Sequence, residues 1–417
     1  MSASGPASAG VSPDRLVARA IGATYVAFIG SGIAFASWAA RIPQIRESLG
    51  VTPGQLGFII LCVAGGSIVS LPMSGLLVAR LGEARTVAIM SLVLAVGLAI
   101  VGVGVGIGIP PVCVGLFLLG LGNGAWDVAM NVQGAAVERA LGRSIMSRFH
   151  AGFSIGTVAG AGIGALLVAL HVGVRPHLVA IAVLVALVVP VSVLRGFLPH
   201  APDEHHASHR SVLRAWREPR TVLIGVFVLC MAFTEGTGND WLGVAVIDGY
   251  HTSNALGVLT LAVFLTAMTL GRWFGPGILD RHGRVLVLRT SAVTAFAGLL
   301  VVVFAHLYAF ALVGAVLWGI GTALGFPTGM SAAADDPRYA AARVSVVASI
   351  AYVAFLAGPP VIGFVGDHLG VLHALTVAAG LLAVAAAICG ACAPLHVPDG
   401  AEVAVTPRPP VADLPPS

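Results

Sequence analysis

The sequence predicts an all-α membrane protein with twelve transmembrane helices in two six-helix, pseudo-symmetric bundles. Three observations lead to this prediction: the composition, the spacing of the charged residues and an internal repeat. Of the 417 residues, 58% are hydrophobic and only 10% are charged, whereas soluble proteins contain about 25% charged residues. This low content of charged residues excludes a water-soluble fold. All 22 basic residues are arginine, which we attribute to compositional bias, and five cysteines in so long a chain make no disulfide framework.

Charge-free stretches place the helices in order along the chain. A helix needs about 20 apolar residues to cross a bilayer, and a segment in lipid must satisfy its own backbone hydrogen bonds. Two stretches, 86–126 and 290–334, are too long for one span, and they break at Gly102–Pro111 and near His306. The twelve predicted spans are 18–40, 54–79, 86–107, 112–138, 145–170, 176–197, 220–247, 254–279, 285–305, 308–333, 341–365 and 370–392.

The arginines set the orientation of these spans. With the N-terminus inside, 18 of the 22 arginines fall in cytoplasmic segments, Arg272 falls within a span, and three lie outside: Arg41, Arg46 and Arg175. Cytoplasmic loops of membrane proteins carry an excess of basic residues. We therefore predict cytoplasmic termini and a multi-pass protein of the cell inner (plasma) membrane. The N-terminal residues show no pattern of a cleavable signal peptide.

The two halves of the chain resemble each other at an offset of about 200 residues. GLFLLGLGNG at 115–124 matches GAVLWGIGTA at 314–323, and ARLGEAR at 79–85 matches DRHGRVL at 280–286. Parallel six-helix repeats place the first, fourth, seventh and tenth spans around a central cavity. The predicted organisation is a cytoplasmic N-terminal segment, an N-terminal bundle, a cytoplasmic central loop, a C-terminal bundle and a disordered cytoplasmic tail, at 1–17, 18–197, 198–219, 220–392 and 393–417.

Asp127 is the first candidate for a functional residue. It lies 15 residues into the fourth span, near mid-membrane, where a carboxylate costs about 2.5–3.5 kcal/mol on insertion scales. It aligns with Phe326 in the other repeat, so the fold itself does not require an acid there. Asn123, Asp127 and Asn131 are spaced by four and share one helix face. We predict proton coupling at Asp127 with both asparagines in the substrate cavity; a structural carboxylate bonded to a neighbouring helix is the alternative.

The seventh span contains two more acids. Glu235 lies 15 residues into this span, and Asn239 follows one turn later on the same face. Asp240 is five residues from Glu235 and therefore points about 140° away from it. We predict Glu235 as a second proton-coupling residue and place Asn239 and Asp240 in the substrate cavity, where Asp240 also suits a cap or latch near the outer end. Structural hydrogen bonding is the alternative for each acid.

Further residues in the spans have expected roles. His150 opens the fifth span and is a candidate proton relay, because histidine titrates in the physiological range; a hydrogen-bonded packing role is equally open. Arg272 needs an acidic partner or must snorkel to the membrane surface. Trp126 and Trp318 lie mid-span, placed either to stack on a solute in the cavity or to pack towards lipid. Two tryptophans near the outer ends fit an aromatic belt: Trp38 and Trp241.

Several other motifs suggest no chemistry. The CGAC sequence at 389–392 lacks the βαβ context of a redox motif, and the chain, which has no lysine, contains no phosphate-binding GxxxxGK[ST] segment. A solvated linker explains the histidines of the central loop better than a metal site does: His200, His205, His206 and His209. No nucleophile–base pair is apparent. We therefore predict no enzyme activity, no metal and no cofactor.

Two loop motifs resemble those of the major facilitator superfamily. The first copy has Arg80 and Gly82 but differs in carrying Ala79 and Glu83, and the second copy comprises Asp280, Arg281, Gly283 and Arg284. Four longer motifs resemble the MosC-like branch, which is related to the fucose permeases: SWAARIP at 37–43, GNGAWDVAMNVQGAAVE at 122–138, FHAGFSIG at 149–156 and EGTGNDW at 235–241. The resemblance implies secondary transport of a small solute, with a sugar-like compound as the expectation.

We therefore expect a monomeric, proton-coupled secondary transporter that works by alternating access. Its expected partners are a small-molecule substrate, protons and membrane lipid, and no nucleic acid. We expect the Asp280–Arg284 loop to lock one conformation by pairing with adjacent helix ends. One alternative is a drug or metabolite efflux antiporter, which is weakened by Ala161 where the antiporter motif has proline. The other is a non-transporting membrane sensor, which is weakened by the lack of a sizeable output domain.

Overall fold

The computed structural model describes residues 13–142, 145–199, 214–336 and 339–395, which are helical with short connections. Within these described residues, eleven helical stretches are long and apolar enough to cross a membrane, so the prediction of an all-helical membrane protein is confirmed. The helices are α1 (Pro13–Ala39), α2 (Ile42–Leu49), α3 (Pro53–Gly104), α4 (Ile109–Leu141), α5 (Met146–Ala169), α6 (Val174–Gly196), α7 (Pro219–Tyr250), α8 (Asn254–His282), α9 (Arg284–Phe304), α10 (Tyr308–Thr322), α11 (Gly325–Ala333), α12 (Ala340–Leu369), α13 (Val371–Ala374) and α14 (Thr376–Ile388), and a 3₁₀ turn follows at Cys389–Cys392.

Some predicted features lie outside the described residues. They are most of the N-terminal segment, nearly all of the predicted disordered tail, and most of the central loop with its four histidines, His200, His205, His206 and His209.

The 52-residue helix α3 contains two of the predicted spans. Gly82 interrupts it with φ 75° and ψ 166°. The equivalent residue of the other repeat, Gly283, separates α8 from α9 with φ 78° and ψ 153°. Only glycine adopts this backbone region without strain. The matched geometry agrees with the repeat that the sequence predicts.

Gly283→Ala should destabilise the protein. A Cβ at this φ and ψ is strained, so the free energy of unfolding should fall by about 1–3 kcal/mol, as measured by denaturant unfolding in detergent. Gly277→Ala is the matched control, because Gly277 lies within α8 and a Cβ there would meet nothing within 4 Å. Equal stability of the two variants would contradict this account of the Gly82 and Gly283 junctions.

Helix α2 was not predicted from the sequence. Residues 41–53 were expected to form a loop between two spans, but Ile42–Leu49 is helical, with Pro43 in its first turn and Gly50 ending it at φ 61°. This segment is short and contains charged side chains, so it gives no hydropathy signal for a span. A capping box between Thr52 and Gln55 then starts α3.

The helices before residue 197 pack mainly on one another, as do those after residue 219. In the first half α1 packs on α5 and α6, and α3 packs on α4; in the second half α7 packs on α12, and α9 packs on α10. The halves contact each other mainly through three pairs of helices: α3 with α12, α5 with α8, and α2 with α7. We call the end of the molecule where α1 ends the distal end, and the end where α1 begins the proximal end.

Paired glycines bring two helix pairs into close contact at equivalent places in the two halves. A Cβ at Gly97 of α3 would lie 2.6 Å from the carbonyl oxygen of Gly115 of α4, and a Cβ at Gly314 of α10 would lie 2.6 Å from that of Gly298 of α9. Such contacts let two helix backbones approach closely. Each half therefore contains one tightly packed pair of consecutive helices.

Candidate functional site

Asp127 lies in the middle of α4 and is exposed. Its carboxylate Oδ1 accepts a hydrogen bond of 3.2 Å from Asn131 Nδ2, which also donates to the Asp127 carbonyl at 2.8 Å. This bond is the one that the spacing of four predicts. Asp127 also interacts electrostatically with Tyr352 of α12. The carboxylate thus lies where the two halves face each other.

Asn123 shares the face of Asp127 but is held to another helix. Its Oδ1 accepts a hydrogen bond of 3.2 Å from Ser31 Oγ of α1. This contact uses the Asn123 amide oxygen within the first half, whereas Asp127 interacts with Tyr352 of the second half. Sequence reasoning missed both Ser31 and Tyr352, because a partner far away in the chain leaves no mark on the local pattern.

Glu235 of α7 forms an ion pair with Arg272 of α8. Arg272 Nη2 donates to Glu235 Oε1 at 2.7 Å, and the two side chains are 25% and 20% exposed. Arg272 Nε also donates to the Ala323 carbonyl at 3.3 Å. The acidic partner that a mid-span arginine requires is therefore Glu235.

The Ala323 carbonyl is available to Arg272 because the tenth predicted span is broken there. The sequence predicts one helix over 308–333, but α10 ends at Thr322 and α11 begins at Gly325. A helix break leaves carbonyl oxygens without their partners in the next turn, and the guanidinium of Arg272 replaces one of those partners. The predicted span agrees with the apolar stretch Tyr308–Ala333, but its helix is interrupted after Thr322 instead of continuous.

His150 lies in α5, on the seam with α8. Its ring is exposed and packs edge-on against Phe28 with centroids 5.2 Å apart. It interacts electrostatically with Arg272 across the two halves. One helical turn further on, the Ser154 carbonyl accepts a hydrogen bond of 3.5 Å from Thr269. The candidate relay and the Glu235–Arg272 pair thus belong to one region between the halves.

The remaining polar candidates lie on α7. Asp240 is half-buried, and no hydrogen bond or ion pair joins its carboxylate to the described part of the chain. The Asn239 Oδ1 atom is buried without a hydrogen-bond partner. On the helix face that Glu235 and Asn239 share, Glu235 is therefore bound to Arg272, and the Asn239 side-chain oxygen has no hydrogen-bond donor.

The four tryptophans of the predicted cavity helices are buried. Trp126 and Trp318 are 0% exposed, which excludes lipid-facing packing; Trp318 packs edge-on against Phe264 with ring centroids 5.3 Å apart. In this conformation neither ring reaches open space. The outer pair, Trp38 and Trp241, is 1% and 0% exposed. The aromatic-belt interpretation of that pair was therefore wrong, because both rings pack in the protein interior.

The distal end is bridged by polar contacts between the halves. Arg46 of α2 forms an ion pair with Asp248 of α7. Asn254 Nδ2 donates to Glu47 Oε2 at 3.0 Å, and the Gly54 backbone N–H donates to Asp367 Oδ1 at 3.0 Å. We call these three contacts the distal latch: Arg46–Asp248, Glu47–Asn254 and Gly54–Asp367.

Charged residues at the proximal end form ion pairs within the second half. Asp335 accepts hydrogen bonds from Arg284 at 3.0 Å and from Arg220 at 2.9 Å, so Arg284 of the second loop motif does pair with a nearby helix end. Asp280, Arg281 and Arg80 of the two motifs are exposed. Next to this network, the hydrogen bond from Arg343 lowers the pKa of the Glu218 carboxyl below its ordinary value.

The family model of the Major Facilitator Superfamily matches residues 23–347 of the chain, and a second, overlapping match covers residues 236–411. An uncharacterized MFS-type transporter of Yersinia pestis is 30% identical over 363 residues, which is 86% of this chain and 91% of that protein. Membrane protein MosC of Rhizobium meliloti is 26% identical over 365 residues, covering 87% of this chain and 88% of MosC.

Solved structures share the fold at low sequence identity. The nucleoside transporter NupG has a TM-score of 0.73 at 14% identity, covering 90% of this chain and 99% of its own. A bacterial homolog of the human lysosomal transporter Spinster, in an inward-facing and occupied conformation, has a TM-score of 0.73 at 13% identity, covering 92% and 97%. The E. coli fucose:proton symporter FucP has a TM-score of 0.61 at 19% identity, covering 89% and 98%.

Proposed function

Because the chain belongs to the Major Facilitator Superfamily, we propose that it is a proton-coupled secondary transporter that moves a small solute by alternating access. Its curated relatives include proteins named as transporters, in agreement with the prediction of a transporter and not an enzyme. The observation that carries the mechanism is the distal latch, because its polar contacts join the two halves at one end of the seam that contains Asp127. Alternating access requires such a bistable closure between rigid halves.

We place the latch on the outer side of the membrane. The arginine distribution supports this orientation, since 18 of 22 arginines fall in the segments assigned to the cytoplasm. If Gly82 divides α3 into two membrane-crossing segments, the chain crosses the membrane twelve times. It then forms two six-helix bundles, and both termini are cytoplasmic. The conformation described here is then closed to the outside, with Asp127 facing the seam.

Asp127 is the proposed coupling residue. Its carboxylate is exposed between the halves and has one hydrogen-bond donor, Asn131, so it retains free acceptor sites for a proton or a solute. Tyr352 of the other half interacts electrostatically with it. Gain and loss of a proton at this position changes the charge on the surface along which the halves separate, which is the differential interaction that a population shift requires.

The Glu235–Arg272 pair is the proposed second element of coupling. Protonation of Glu235 would release Arg272 from its carboxylate partner, and His150, which interacts electrostatically with Arg272, is placed to exchange the proton with the cytoplasmic side. We assign Asn123, Asn131, Asn239 and Asp240 to solute binding. Trp126 and Trp318 would join that site only after the halves rearrange, because both rings are buried.

The proposed substrate is a small polar, sugar-like solute. The support is the fold shared with a nucleoside transporter and a fucose:proton symporter, together with a site built from carboxylates and amides. A thermal-shift screen of the purified protein against sugars, polyols, amino acids and drugs tests this class, because ligands that bind the native state raise its apparent stability. Stabilisation by drugs and not by sugars or polyols would contradict it.

Arg46→Glu should shift the conformational equilibrium away from the distal-closed state. The variant replaces the attraction to Asp248 by repulsion. An exposed ion pair contributes about 0.5–1 kcal/mol, so loss of the pair alone should lower the closed population relative to the open one about two- to fivefold. Spin labels on α2 and α7, in a background lacking the five native cysteines, allow pulsed EPR to measure the distance distribution.

The swap variant Arg46→Asp with Asp248→Arg should restore the native distances. Arg175→Glu is the control, since Arg175 is an exposed arginine at the same end in the first half. Identical distance distributions in the native protein and Arg46→Glu would remove the distal latch from the gating mechanism.

A further inference from the structure

A second polar cluster lies away from the central seam, at the distal end of the first half. Arg41, at the junction of α1 and α2, is 1% exposed, and His177, in the first turn of α6, is 2% exposed. Arg41 Nε donates a hydrogen bond of 2.8 Å to His177 Nδ1. Gly164 of α5 packs against Ala40 and His177. The cluster is thus enclosed by α1, α5 and α6.

The cluster has unpartnered hydrogen-bond donors and no charged acceptor; the amide oxygen of Gln44, three residues from Arg41, is a neutral acceptor that is also buried without a partner. Guanidinium groups only donate, so His177 Nδ1 must accept, and the proton of the neutral ring then resides on Nε2. Arg41 Nη2 and His177 Nε2 are both buried without a hydrogen-bond partner, and so is the hydroxyl of Ser37 one turn earlier in α1. Within the described part of the chain no carboxylate forms an ion pair with Arg41.

The start of α6 adds to the positive potential. Its N-cap residue, Gly173, makes no side-chain capping bond, so the first backbone N–H groups of this 23-residue helix lack side-chain acceptors. The N-terminus of a helix carries a partial positive charge and binds anions. A buried guanidinium and a helix N-terminus therefore lie together, and a buried cation needs a counter-charge.

We propose that Arg41, His177 and the N-terminus of α6 form a binding site for a small inorganic monoanion of the chloride type. Because the unpartnered donors are sealed from solvent, the proposed ligand is an ion of atomic size and not the carboxylate of a larger solute. The site lies within the first half and is independent of the proposed transport of a solute along the seam. Pro43, two residues from Arg41, contacts Gly243 of α7, so a bound anion would also steady the helix that carries the latch residue Arg46.

The test is thermal unfolding of the purified full-length protein, followed by tryptophan fluorescence at constant ionic strength. Replacing sodium gluconate by sodium chloride or bromide should raise the apparent Tm saturably, by about 3 °C, as expected for a ligand that binds only the folded state. Arg41→Gln should abolish the difference between halide and gluconate. Arg139→Gln is the matched control, because it removes an exposed arginine of the first half that lies on α4, outside the proposed site, and it should leave the difference intact.

A second measurement applies if Arg41→Gln fails to fold. Crystals of the native protein grown in bromide should show an anomalous peak within contact distance of Arg41 and His177, and Arg41→Lys, which keeps the charge, should retain a weaker halide response. Equal Tm values in chloride and gluconate, or bromide peaks only at the molecular surface, would overturn the proposal. Neither readout depends on a transported solute, so failure here is distinct from failure of the proposed transport function.

Discussion

Asp127→Asn should abolish uphill, gradient-driven transport while sparing exchange of solute between equal compartments. The amide has nearly the shape of the protonated carboxyl, and its oxygen can still accept the hydrogen bond from Asn131. It cannot take up or release a proton. One pH unit corresponds to about 1.4 kcal/mol per proton, which sustains about tenfold accumulation, so the variant should fall from about tenfold accumulation to none.

Proteoliposomes separate these two activities once a substrate has been identified. Uptake driven by a pH gradient measures coupling, and exchange at equal pH measures movement of the loaded carrier. Asn123→Ser is the control, because Asn123 lies on the same helix face but is bound to Ser31 within the first half; it should alter solute affinity and keep coupling. If Asp127→Asn still accumulates solute in response to pH, Asp127 is not the coupling residue. If both activities vanish, Asp127 binds solute or supports the structure, and the proton must travel by Glu235 or Asp240.

Breaking the Glu235–Arg272 pair should produce the largest loss of stability among single substitutions in the seam. Arg272→Gln leaves the Glu235 carboxylate and the Ala323 carbonyl without their donor. Removal of one member of a fully buried pair costs about 3–5 kcal/mol. Because the Arg272 and Glu235 side chains are 25% and 20% exposed, we expect about 2–3 kcal/mol for each single variant.

A double-mutant cycle tests whether the two side chains act as a pair. Arg272→Gln with Glu235→Gln should be less destabilised than the sum of the single variants, by at least about 1 kcal/mol, because neither charge is then left alone. The comparison cycle uses Arg46 and Asp248, whose side chains are 22% and 37% exposed, so water screens these charges more and coupling should stay near or below about 1 kcal/mol. Additive effects at Glu235 and Arg272 would mean that the pair contributes nothing beyond its separate parts.

The sequence alone predicted the course of the chain through the membrane well. Hydropathy locates helices because every spanning segment must be apolar and must satisfy its own backbone, and the described helices begin and end close to the predicted spans. Two elements escaped this reasoning. Helix α2 is too short and too polar for a hydropathy signal, and the break after Thr322 lies within an apolar stretch. Gly325 and Pro327 are the only local signs of that break.

The candidate site was predictable only where its contacts are local. The bond between Asn131 and Asp127 follows from a spacing of four along one helix. The partner of Arg272 lies 37 residues away in sequence, and Arg46 contacts Asp248 across 202 residues. Such pairs depend on how the two halves pack. A single sequence shows that a mid-span arginine needs an acidic partner, but it does not show which acidic residue forms the ion pair.

The paired glycines also bear on how the chain is made. Gly97 meets Gly115 across α3 and α4, and Gly298 meets Gly314 across α9 and α10. In both cases only a short connection joins the two helices, so the hairpin closes with little loss of chain entropy. Each hairpin can dock as soon as its second helix enters the bilayer during synthesis, before the later helices of its half have emerged. We therefore expect a bulky residue at any of these four positions to lower the yield of folded protein from biosynthesis, and to affect much less the activity of those molecules that mature.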